Sequence, residues 1–334
     1  MNSSIKLRLA TRHNSTRDGE LMLVSPDATR WLSAAPLGTS MQKLLDDWET
    51  LAPLLHLRYQ ELCATQWASS EHFDAAQCMA PLPRAYQWAD ASVYRNHARL
   101  IYQWRKEPIP PGYEDAPLVY QGGSDVMLGP NQPIEAVDEA HDIDLEAEIA
   151  VIVKDVPMQT TAQAAEQSIA LVCLLNDISL RGLIPKELAK GFGFYQSKPA
   201  TSFAPIAVTP AALGSSWKES MLNAKVRIDL NGQRFGEPSA NAEVVFNFAQ
   251  IIAHLSRTRS LCAGSIIGAG TISNEAETAG SACITEARVR QILKGVSDQH
   301  LQPYLKHGDR VRIEALDDTG RTLFGAIDQC VQII

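Results

Sequence analysis

Short apolar segments, alternating with polar residues or running together, dominate the chain and predict short β-strands. Residues 5–10 and 20–25 flank a turn-forming R-D-G and predict a hairpin. Residues 225–235 predict a second hairpin, because Asn231-Gly232 suits a type I′ turn. A third hairpin is predicted near the C-terminus, where V-R-I-E-A-L and R-T-L-F-G-A-I surround D-D-T-G. Glycines within the strand-like residues 265–273 indicate a bulge or a close backbone approach.

Helical periodicity is confined to a few segments. From residue 40 onward, leucines and a tryptophan recur at the spacing of one helix face, and the residue at 39 or 40 suits the N-cap. A second helix is predicted after Asp90 or Ser92, either of which could cap it, with one side formed by Tyr94, His97 and Ile101. Shorter helical segments are predicted near residues 160–169, 178–188 and 244–255.

The succession of elements predicts an α+β, β-rich fold. The pattern after residue 80 predicts mostly short antiparallel strands with few helices, which favours a β-roll or sandwich over a doubly wound sheet. M-A-P-L-P-R at residues 79–84 contains two prolines and is the best boundary candidate. We therefore expect a small N-terminal α/β domain at residues 1–80 and a larger domain at residues 81–334.

Composition narrows the classes of protein. The 334 residues are 45% hydrophobic and 20% charged, which is ordinary for a globular protein. The net charge is -8 and no long basic run is present, so nucleic acid is not an expected partner. No run of about 20 apolar residues predicts a membrane span. The six cysteines are widely spread without C-x-x-C, which indicates reduced thiols in a cytoplasmic protein.

Candidate chemistry lies in D-I-D-L-E-A-E, residues 142–148, which precede an apolar run. Glu146 and Glu148 are two positions apart and share one face of a strand. Two buried like charges repel each other and lose hydration, and a hard cation such as Mg²⁺, Mn²⁺ or Ca²⁺ relieves both penalties. The alternative is a solvated edge strand. Asp177 follows the apolar residues 170–175, where it is either a ligand or a helix N-cap.

The remaining candidates are weaker when taken singly. His97 is either a base or an ordinary helix histidine, and Arg181 and Lys198 are either site cations or surface charges. Y-Q-G-G at residues 120–123 predicts a turn whose backbone can approach a ligand. No G-x-S-x-G, H-E-x-x-H or P-loop is present, and residues 191–202 lack the third glycine of a dinucleotide fingerprint. The set as a whole indicates metal-assisted hydrolysis at a polarised carbonyl.

Five blocks then occur in an order that resembles the fumarylacetoacetate hydrolase family. They are Y-Q-G-G-S-D, D-L-E-A-E-I-A-V, L-L-N-D-I-S-L-R, Q-S-K-P-A-T-S-F-A-P and G-T-I-S, and they follow Asp90 and His97. The resemblance runs from about residue 81 to the end, and the preceding part is similar to the family's short N-terminal domain. It implies a mixed β-sandwich roll that forms a homodimer, with the active site at the mouth of the roll.

The resemblance also implies roles for individual residues. The metal ligands would be Glu146, Glu148 and Asp177, with Asp90 as a fourth, whereas Asp142 and Asp144 are not ligands. Asp144 shares the glutamates' face and could repel or support them. The general base would be His97, oriented by Glu286. Lys198 would stabilise a developing alkoxide. The substrate would be bound by Arg181, Tyr120 and Thr271.

Two departures from the family pattern concern the substrate. Lys198 is followed by P-A-T-S, so that Ser202 stands in for a threonine near the metal. Ile184 occupies the position of a substrate-binding glutamine.

The implied activity is hydrolysis of a carbon–carbon bond in a 1,3-diketo acid, such as fumarylacetoacetate or an acylpyruvate, in aromatic or tyrosine catabolism. The alternatives are a 2-oxo acid decarboxylase, an isomerase, or a hydratase or dehydratase that uses the same metal site. A binding protein without activity is a further alternative.

Overall fold

The computed structural model describes residues 5–64 and 70–334. Within those ranges the helices are α1 Met41–Asp46, α2 Trp48–Cys63, α3 Arg95–Arg105, α4 Ala162–Glu166, α5 Ile184–Leu188, α6 Pro210–Leu213, α7 Phe248–Leu255 and α8 Ile284–Leu293. The strands are β1 Arg8–Arg12, β2 Glu20–Val24, β3 Arg30–Ser33, β4 Glu71–His72, β5 Gln87–Ser92, β6 Leu118–Gly122, β7 Ile134–Ala136, β8 Ile143–Asp144, β9 Ala147–Val153, β10 Ile169–Asn176, β11 Ser179–Leu180, β12 Ser202–Phe203, β13 Ile206–Val208, β14 Trp217–Lys218, β15 Met221–Leu222, β16 Lys225–Leu230, β17 Gln233–Gly236, β18 Ser265–Gly268, β19 Arg310–Leu316 and β20 Thr322–Ile333.

Two sheets organise the described part of the chain. The larger has eleven strands in the order β4-β3-β2-β1-β13-β10-β9-β18-β5-β6, with β12 paired to β10. Its pairing of β5 with β18 is parallel, whereas β9 pairs with β10 and β18 in antiparallel fashion. The smaller has five strands in the order β17-β16-β19-β20-β7. This mixed, sheet-rich architecture with few helices confirms the predicted fold class.

The core lies on both faces of the larger sheet. On β10, Leu171 and Leu175 share a core with α1 and α2, whereas Val172 and Leu174 share one with β19 and β20. Every residue of β9 and β10 is buried. A strand covered on both faces has no polar side, which explains why these two segments read as continuous apolar runs.

The hairpins and the first helix were predicted correctly from local pattern. The strands β1 and β2, β16 and β17, and β19 and β20 form antiparallel pairs. Asn231 and Gly232 have φ values of 51° and 78°, as a type I′ turn requires. Ser40 caps α1 by accepting a hydrogen bond from the Lys43 N–H, and the helical segment is interrupted at Asp47 before α2.

Four local predictions were wrong. Asp90 and Ser92 do not cap a helix, because residues 87–92 form β5, and α3 begins only at Arg95. Residues 118–122 form β6 instead of a turn, and a Cβ on Gly122 would lie 2.0 Å from the Trp88 ring, so this glycine makes room for an indole and not for a ligand. The helix predicted for residues 178–188 began too early, because residues 179–180 form β11 and α5 starts at residue 184. The last helix prediction also began too early, because a capping box at Asn247 starts α7 at residue 248.

Domain division and location stay predictions. The N-terminal strands continue the larger sheet through the pairing of β1 with β13. The predicted domain boundary between residues 80 and 81 therefore stays a prediction. Among the described helices, none combines the length and the apolar character needed to cross a membrane. All six cysteines are free thiols.

Candidate active site

Three buried carboxylates meet in the larger sheet, on or directly after the strands β5, β9 and β10. Asp90 lies on β5, Glu148 lies near the start of β9, and Asp177 directly follows β10. Oxygen atoms of the three side chains lie within 4.8 Å of one another. Their residues are 6%, 0% and 0% exposed, respectively. The structure therefore brings together three of the carboxylates predicted to bind a metal.

The cluster is electrostatically unfavourable without a cation. Burial is the main reason why the pKa values of Asp90 and Glu148 are well above the ordinary range, and the charges of neighbouring carboxylates raise these pKa values further. Both oxygens of Glu148 are buried, and no group among the described residues donates a hydrogen bond to either. Buried acceptors normally have a partner. Because the donor set consists of oxygens, it fits a hard divalent cation such as Mg²⁺, Mn²⁺ or Ca²⁺.

Backbone atoms after β18 fix the position of Asp90. Gly268 pairs with Asp90, and a Cβ on this glycine would lie 2.3 Å from Asp90 Oδ1. The N–H of Gly270 donates to the same oxygen at 3.1 Å, and its φ of 87° favours glycine. The close backbone approach predicted within residues 265–273 is confirmed, and the group that it approaches is Asp90.

A Gly268→Ala substitution should displace Asp90. Because the added methyl group overlaps both Asp90 Oδ1 and the Trp88 ring, we expect the unfolding free energy to fall by about 1–3 kcal/mol. We also expect Mn²⁺ affinity to fall by about 10- to 100-fold. Calorimetric titration and thermal unfolding would measure both, with Gly123→Ala as a control, since a Cβ there has its nearest neighbour at 3.9 Å. A folded Gly268→Ala protein with unchanged Mn²⁺ affinity would exclude Asp90 as a ligand.

Glu146 lies beside the three carboxylates, but two cations hold it. Arg181 Nη2 lies 2.5 Å from Oε1, and Lys198 Nζ lies 2.5 Å from Oε2. Burial raises the pKa of Glu146, but the charges of Arg181 and Lys198 outweigh burial and hold this pKa far below the ordinary range. Glu146 is therefore ionised, and its predicted role as a metal ligand stays a prediction.

Asp144 connects Arg181 to the helix α8. The Arg181 Nε donates to Asp144 Oδ2 at 2.8 Å. The two oxygens of Asp144 also accept the N–H groups of Ile284 and Thr285, at 2.7 and 3.0 Å, at the start of α8. The possible repulsion between Asp144 and the glutamates is thus offset by Arg181, and Asp144 supports Glu146 through this shared arginine.

Asp177 is not a helix N-cap, because its side-chain oxygens accept hydrogen bonds from side chains. Thr201 Oγ1 donates to Oδ1 at 2.8 Å, while Tyr120 Oη and Lys198 Nζ donate to Oδ2 at 2.5 and 2.6 Å. Burial alone lowers the pKa of Lys198, but the charges of Asp177 and Glu146 raise it above its ordinary range. Lys198 is therefore a buried cation between two carboxylates.

The prediction for Ser202 was wrong. Thr201, one residue earlier, contacts Asp177, whereas the Ser202 hydroxyl accepts a hydrogen bond from Gln329 Nε2 at 2.9 Å. Successive side chains of an extended segment point to opposite faces, which explains why Thr201 faces Asp177 and Ser202 faces away from it.

His97 and Glu286 form a second pair at the contact between α3 and α8. His97 Nδ1 lies 3.3 Å from Glu286 Oε2, with side-chain exposures of 16% and 0%. Burial raises the pKa of Glu286, but the hydrogen bond and charge of His97, with a smaller effect of Arg290, bring this pKa below its ordinary value. An ionised Glu286 favours a proton on Nδ1 and leaves Nε2 as an acceptor. The two residues predicted to act together are therefore neighbours.

A cavity of about 400 Å³ connects the carboxylates with His97. Asp90, Glu148, Glu146, Arg181 and Lys198 line it, as do the predicted substrate-binding residues Tyr120 and Thr271. Its apolar walls are formed by Ile101, Tyr102, Tyr113, Leu118, Val119, Ile184, Leu188 and Phe194. Ile184 thus presents an apolar side chain where the resemblance predicts a glutamine.

Two cations at this cavity retain unused donors. Arg181 uses Nε and Nη2 on Asp144 and Glu146, and no acceptor among the described residues contacts its Nη1. An ammonium group has three donors, of which Lys198 uses two on Glu146 and Asp177. Arg181 and Lys198 can therefore bind an anion or a developing oxyanion in the cavity.

Several contacts of the site were not predicted. The bond between Arg290 and Glu286 has a sequence signal, because the two residues are four positions apart on a helix. The bonds of Asp144 to Arg181 and of Thr201 to Asp177 join distant segments, and no local pattern identifies them.

Two family models match this chain. The model described as "Fumarylacetoacetate (FAA) hydrolase C-terminal" matches residues 87–332. The model described as "Fumarylacetoacetase N-terminal domain 2" matches residues 7–84. A fumarylacetoacetate hydrolase domain-containing protein 2 homolog of Dictyostelium discoideum is 29% identical over 162 residues, which are 46% of this chain and 52% of that protein. That match therefore spans about half of the relative's length.

Solved structures share the fold over nearly the whole chain. A probable 2-hydroxyhepta-2,4-diene-1,7-dioate isomerase from Mycobacterium abscessus has a TM-score of 0.66 at 19% identity, covering 98% of both chains. Maleylpyruvate hydrolase from Sphingobium sp. SYK-6, in complex with manganese(II) and pyruvate, has a TM-score of 0.63 at 16% identity, covering 97% of this chain and 98% of that chain. At these identities the likeness establishes a shared fold.

Proposed function

Because the chain belongs to the fumarylacetoacetate hydrolase family, we propose that it is a metal-dependent hydrolase that cleaves a carbon–carbon bond in a 1,3-diketo acid. One observation carries this proposal: His97, bonded to Glu286, lines the same cavity as Asp90 and Glu148. The maleylpyruvate hydrolase that shares the fold contains manganese(II), which supports a divalent ion here. We also propose that the protein forms a homodimer, as the resemblance implies.

The ion would be held by Asp90, Glu148 and Asp177, with Glu146 as a predicted further ligand. When bound there, it would supply Lewis-acid polarisation of a substrate carbonyl, an effect worth several kcal/mol. Arg181 Nη1 would bind the substrate carboxylate, and the apolar wall would accept the acyl group. These contacts select a diketo acid whose acyl end carries apolar surface.

The proton transfers are assigned to His97. Its Nε2 takes a proton from water, and the water oxygen bonds to the carbonyl carbon that is remote from the carboxylate. The carbonyl electrons move to oxygen, where Lys198 donates a hydrogen bond, typically worth about 3 kcal/mol. The carbon–carbon bond then breaks, its electron pair moves to the leaving carbon, and His97 returns the proton to that carbon. Water and diketo acid thus become a carboxylic acid and an oxo acid, which is a 2-oxo acid when the substrate is an acylpyruvate.

A turnover screen tests this assignment. The substrates are fumarylacetoacetate, fumarylpyruvate, acetylpyruvate and oxaloacetate, each with Mg²⁺ or Mn²⁺. We expect hydrolysis of at least one diketo acid and its loss with a chelator. Carbon dioxide release from oxaloacetate alone would favour a decarboxylase, and a shifted double bond without cleavage would favour an isomerase. Metal binding without turnover would favour a binding protein. The His97–Glu286 pair favours hydrolysis, because the alternatives have less need to activate water.

Metal addition should stabilise the protein. A ligand that binds only the folded state at 100 times its Kd adds about 2.7 kcal/mol to the free energy of unfolding. We therefore expect the Tm to rise with Mn²⁺ and to return to its starting value with EDTA, measured by thermal unfolding. An unchanged Tm with Mg²⁺, Mn²⁺ and Ca²⁺ would contradict the proposed metal site.

A further inference from the structure

A carboxylate outside the cavity organises the loop that ends at Lys198. Glu187 lies on α5, and its two oxygens accept hydrogen bonds from the N–H groups of Tyr195, Gln196 and Ser197, at 3.0, 2.7 and 3.1 Å. They also accept the Ser197 hydroxyl at 2.5 Å. We propose that Glu187 is a positioning residue that holds Lys198 in the active site. This inference rests on the proposed function of Lys198.

The loop between them has few other supports. Residues 189–197, which we call the glycine loop, include Gly191 and Gly193 with φ values of 84° and 98°. A Cβ at either glycine would meet no atom within 4 Å. The side chains of Phe192 and Tyr195 are 102% and 87% exposed, so that they contribute little packing. Phe194 packs edge-on against Tyr120, with ring centroids 5.2 Å apart, and the hydrogen bonds to Glu187 hold the three residues directly before Lys198.

Ser197 transmits this order to the next residue. It is fully buried, its N–H and hydroxyl donate to Glu187, and its carbonyl accepts the Leu180 N–H at 2.8 Å. Both peptide groups around Ser197 are thus fixed, one by α5 and the other by β11, directly before Arg181. Lys198 directly follows Ser197, and its Nζ donates hydrogen bonds to Glu146 and Asp177.

Glu187 acts by geometry and not by proton transfer. It does not line the cavity. Its slight burial raises its pKa, but the hydrogen bonds of Ser197, Tyr195 and Gln196 lower this pKa to about 2. A lowered pKa means that the contribution to stability is complete above about pH 4.3, the unfolded value, and declines as the pH falls toward 2. The contact is therefore intact at any assay pH near neutrality.

A double-mutant cycle tests the coupling between Glu187 and Lys198. Glu187→Gln loses the charge and part of the acceptor capacity, and we expect kcat to fall by about 10- to 100-fold through misplacement of Lys198. Mn²⁺ affinity should change less than about twofold, because Tyr120 and Thr201 continue to hold Asp177 when Lys198 shifts, and Lys198 donates no hydrogen bond to Asp90 or Glu148. In a Lys198→Met background, Glu187→Gln should change the single-turnover rate constant by less than about twofold. Glu166→Gln is the matched control, since Glu166 is exposed at the end of α4.

Two further measurements keep the outcomes distinct. Hydrogen exchange at the amides of residues 195–197 should accelerate in Glu187→Gln, and Ser197→Ala should lower kcat in the same direction by a smaller factor. Equal losses of kcat in both backgrounds, or no loss in Glu187→Gln, would overturn the positioning role while leaving the proposed function intact. Full kcat in Lys198→Met would instead overturn the proposed role of Lys198 and this inference with it.

Discussion

Replacing Glu148 by glutamine should abolish metal binding and lower kcat/KM by at least about 10³-fold, the rate equivalent of several kcal/mol of Lewis-acid stabilisation. Glu148 is completely buried, and among the described residues no donor contacts its carboxylate, so that its charged form requires a cation for compensation. A glutamine amide has a similar shape but carries no charge and presents a donor on one side. It therefore removes a ligand without creating a cavity.

In the absence of metal, the Glu148→Gln substitution should not destabilise the protein. Because burial beside Asp90 and Asp177 makes the charged form of Glu148 unfavourable, a neutral amide is tolerated at this position when no metal is bound. We expect the metal-free Glu148→Gln protein to have a Tm equal to or above that of the metal-free wild type, which excludes unfolding as the cause of lost activity. Calorimetric titration with Mn²⁺ and thermal unfolding provide the two measurements. Glu166→Gln, at an exposed position, is the control and should match the wild type in both. Wild-type Mn²⁺ affinity in Glu148→Gln would exclude the proposed metal site.

Replacing His97 by alanine should lower kcat by about 10²- to 10⁴-fold while leaving Mn²⁺ affinity unchanged. His97 lines the cavity but lies outside the group of three carboxylates. Its loss therefore removes the acceptor for the water proton and no ligand. Glu286→Gln should produce a loss of the same kind, because an amide oriented with its NH₂ toward His97 favours the other tautomer.

These two substitutions have a common control. Arg290 also contacts Glu286, at 3.0 Å from Oε1, but it does not line the cavity. We expect Arg290→Lys to retain kcat within about tenfold, because Lys can preserve the charge near Glu286. Steady-state kinetics on the best substrate of the screen measure all three variants. Near-native turnover of His97→Ala on every substrate would remove His97 from the mechanism.

Local pattern predicted much of the fold. The β1–β2 and β16–β17 hairpins are set by residues close together in sequence, as is the cap of α1 at Ser40. The apolar runs of β9 and β10 were recognised because strands covered on both faces retain no polar side. Each of these elements depends on short-range information, which a single sequence contains.

The strand β5 shows where local pattern fails. Asp90 is disfavoured in strands and favoured at caps, so that its neighbourhood reads as the start of a helix. Its strand exists because Gly268, far along the chain, pairs with Asp90 and leaves space for its carboxylate. A parallel pairing between distant segments leaves no signal in either segment alone.

The candidate site divides in the same way. The resemblance to the family predicted that His97 pairs with Glu286 and that Asp90 lies near Glu148, because the family's motifs occur in this chain in the same order. It did not indicate that Arg181 and Lys198 hold the carboxylate of Glu146, because the choice of partner is decided by distances of 2.5 Å in the folded protein.

Oxygen transfer from water tests the central claim most directly, namely that this cavity hydrolyses a carbon–carbon bond. The enzyme with Mn²⁺ would be given a diketo acid in H₂¹⁸O, and the released carboxylic acid would be analysed by mass spectrometry, with heat-inactivated enzyme as the control for spontaneous exchange. Hydrolysis predicts one ¹⁸O in the new carboxylate beyond the control, and its absence from His97→Ala at equal time. Product formed without ¹⁸O, or isomerised substrate of unchanged mass, would contradict it.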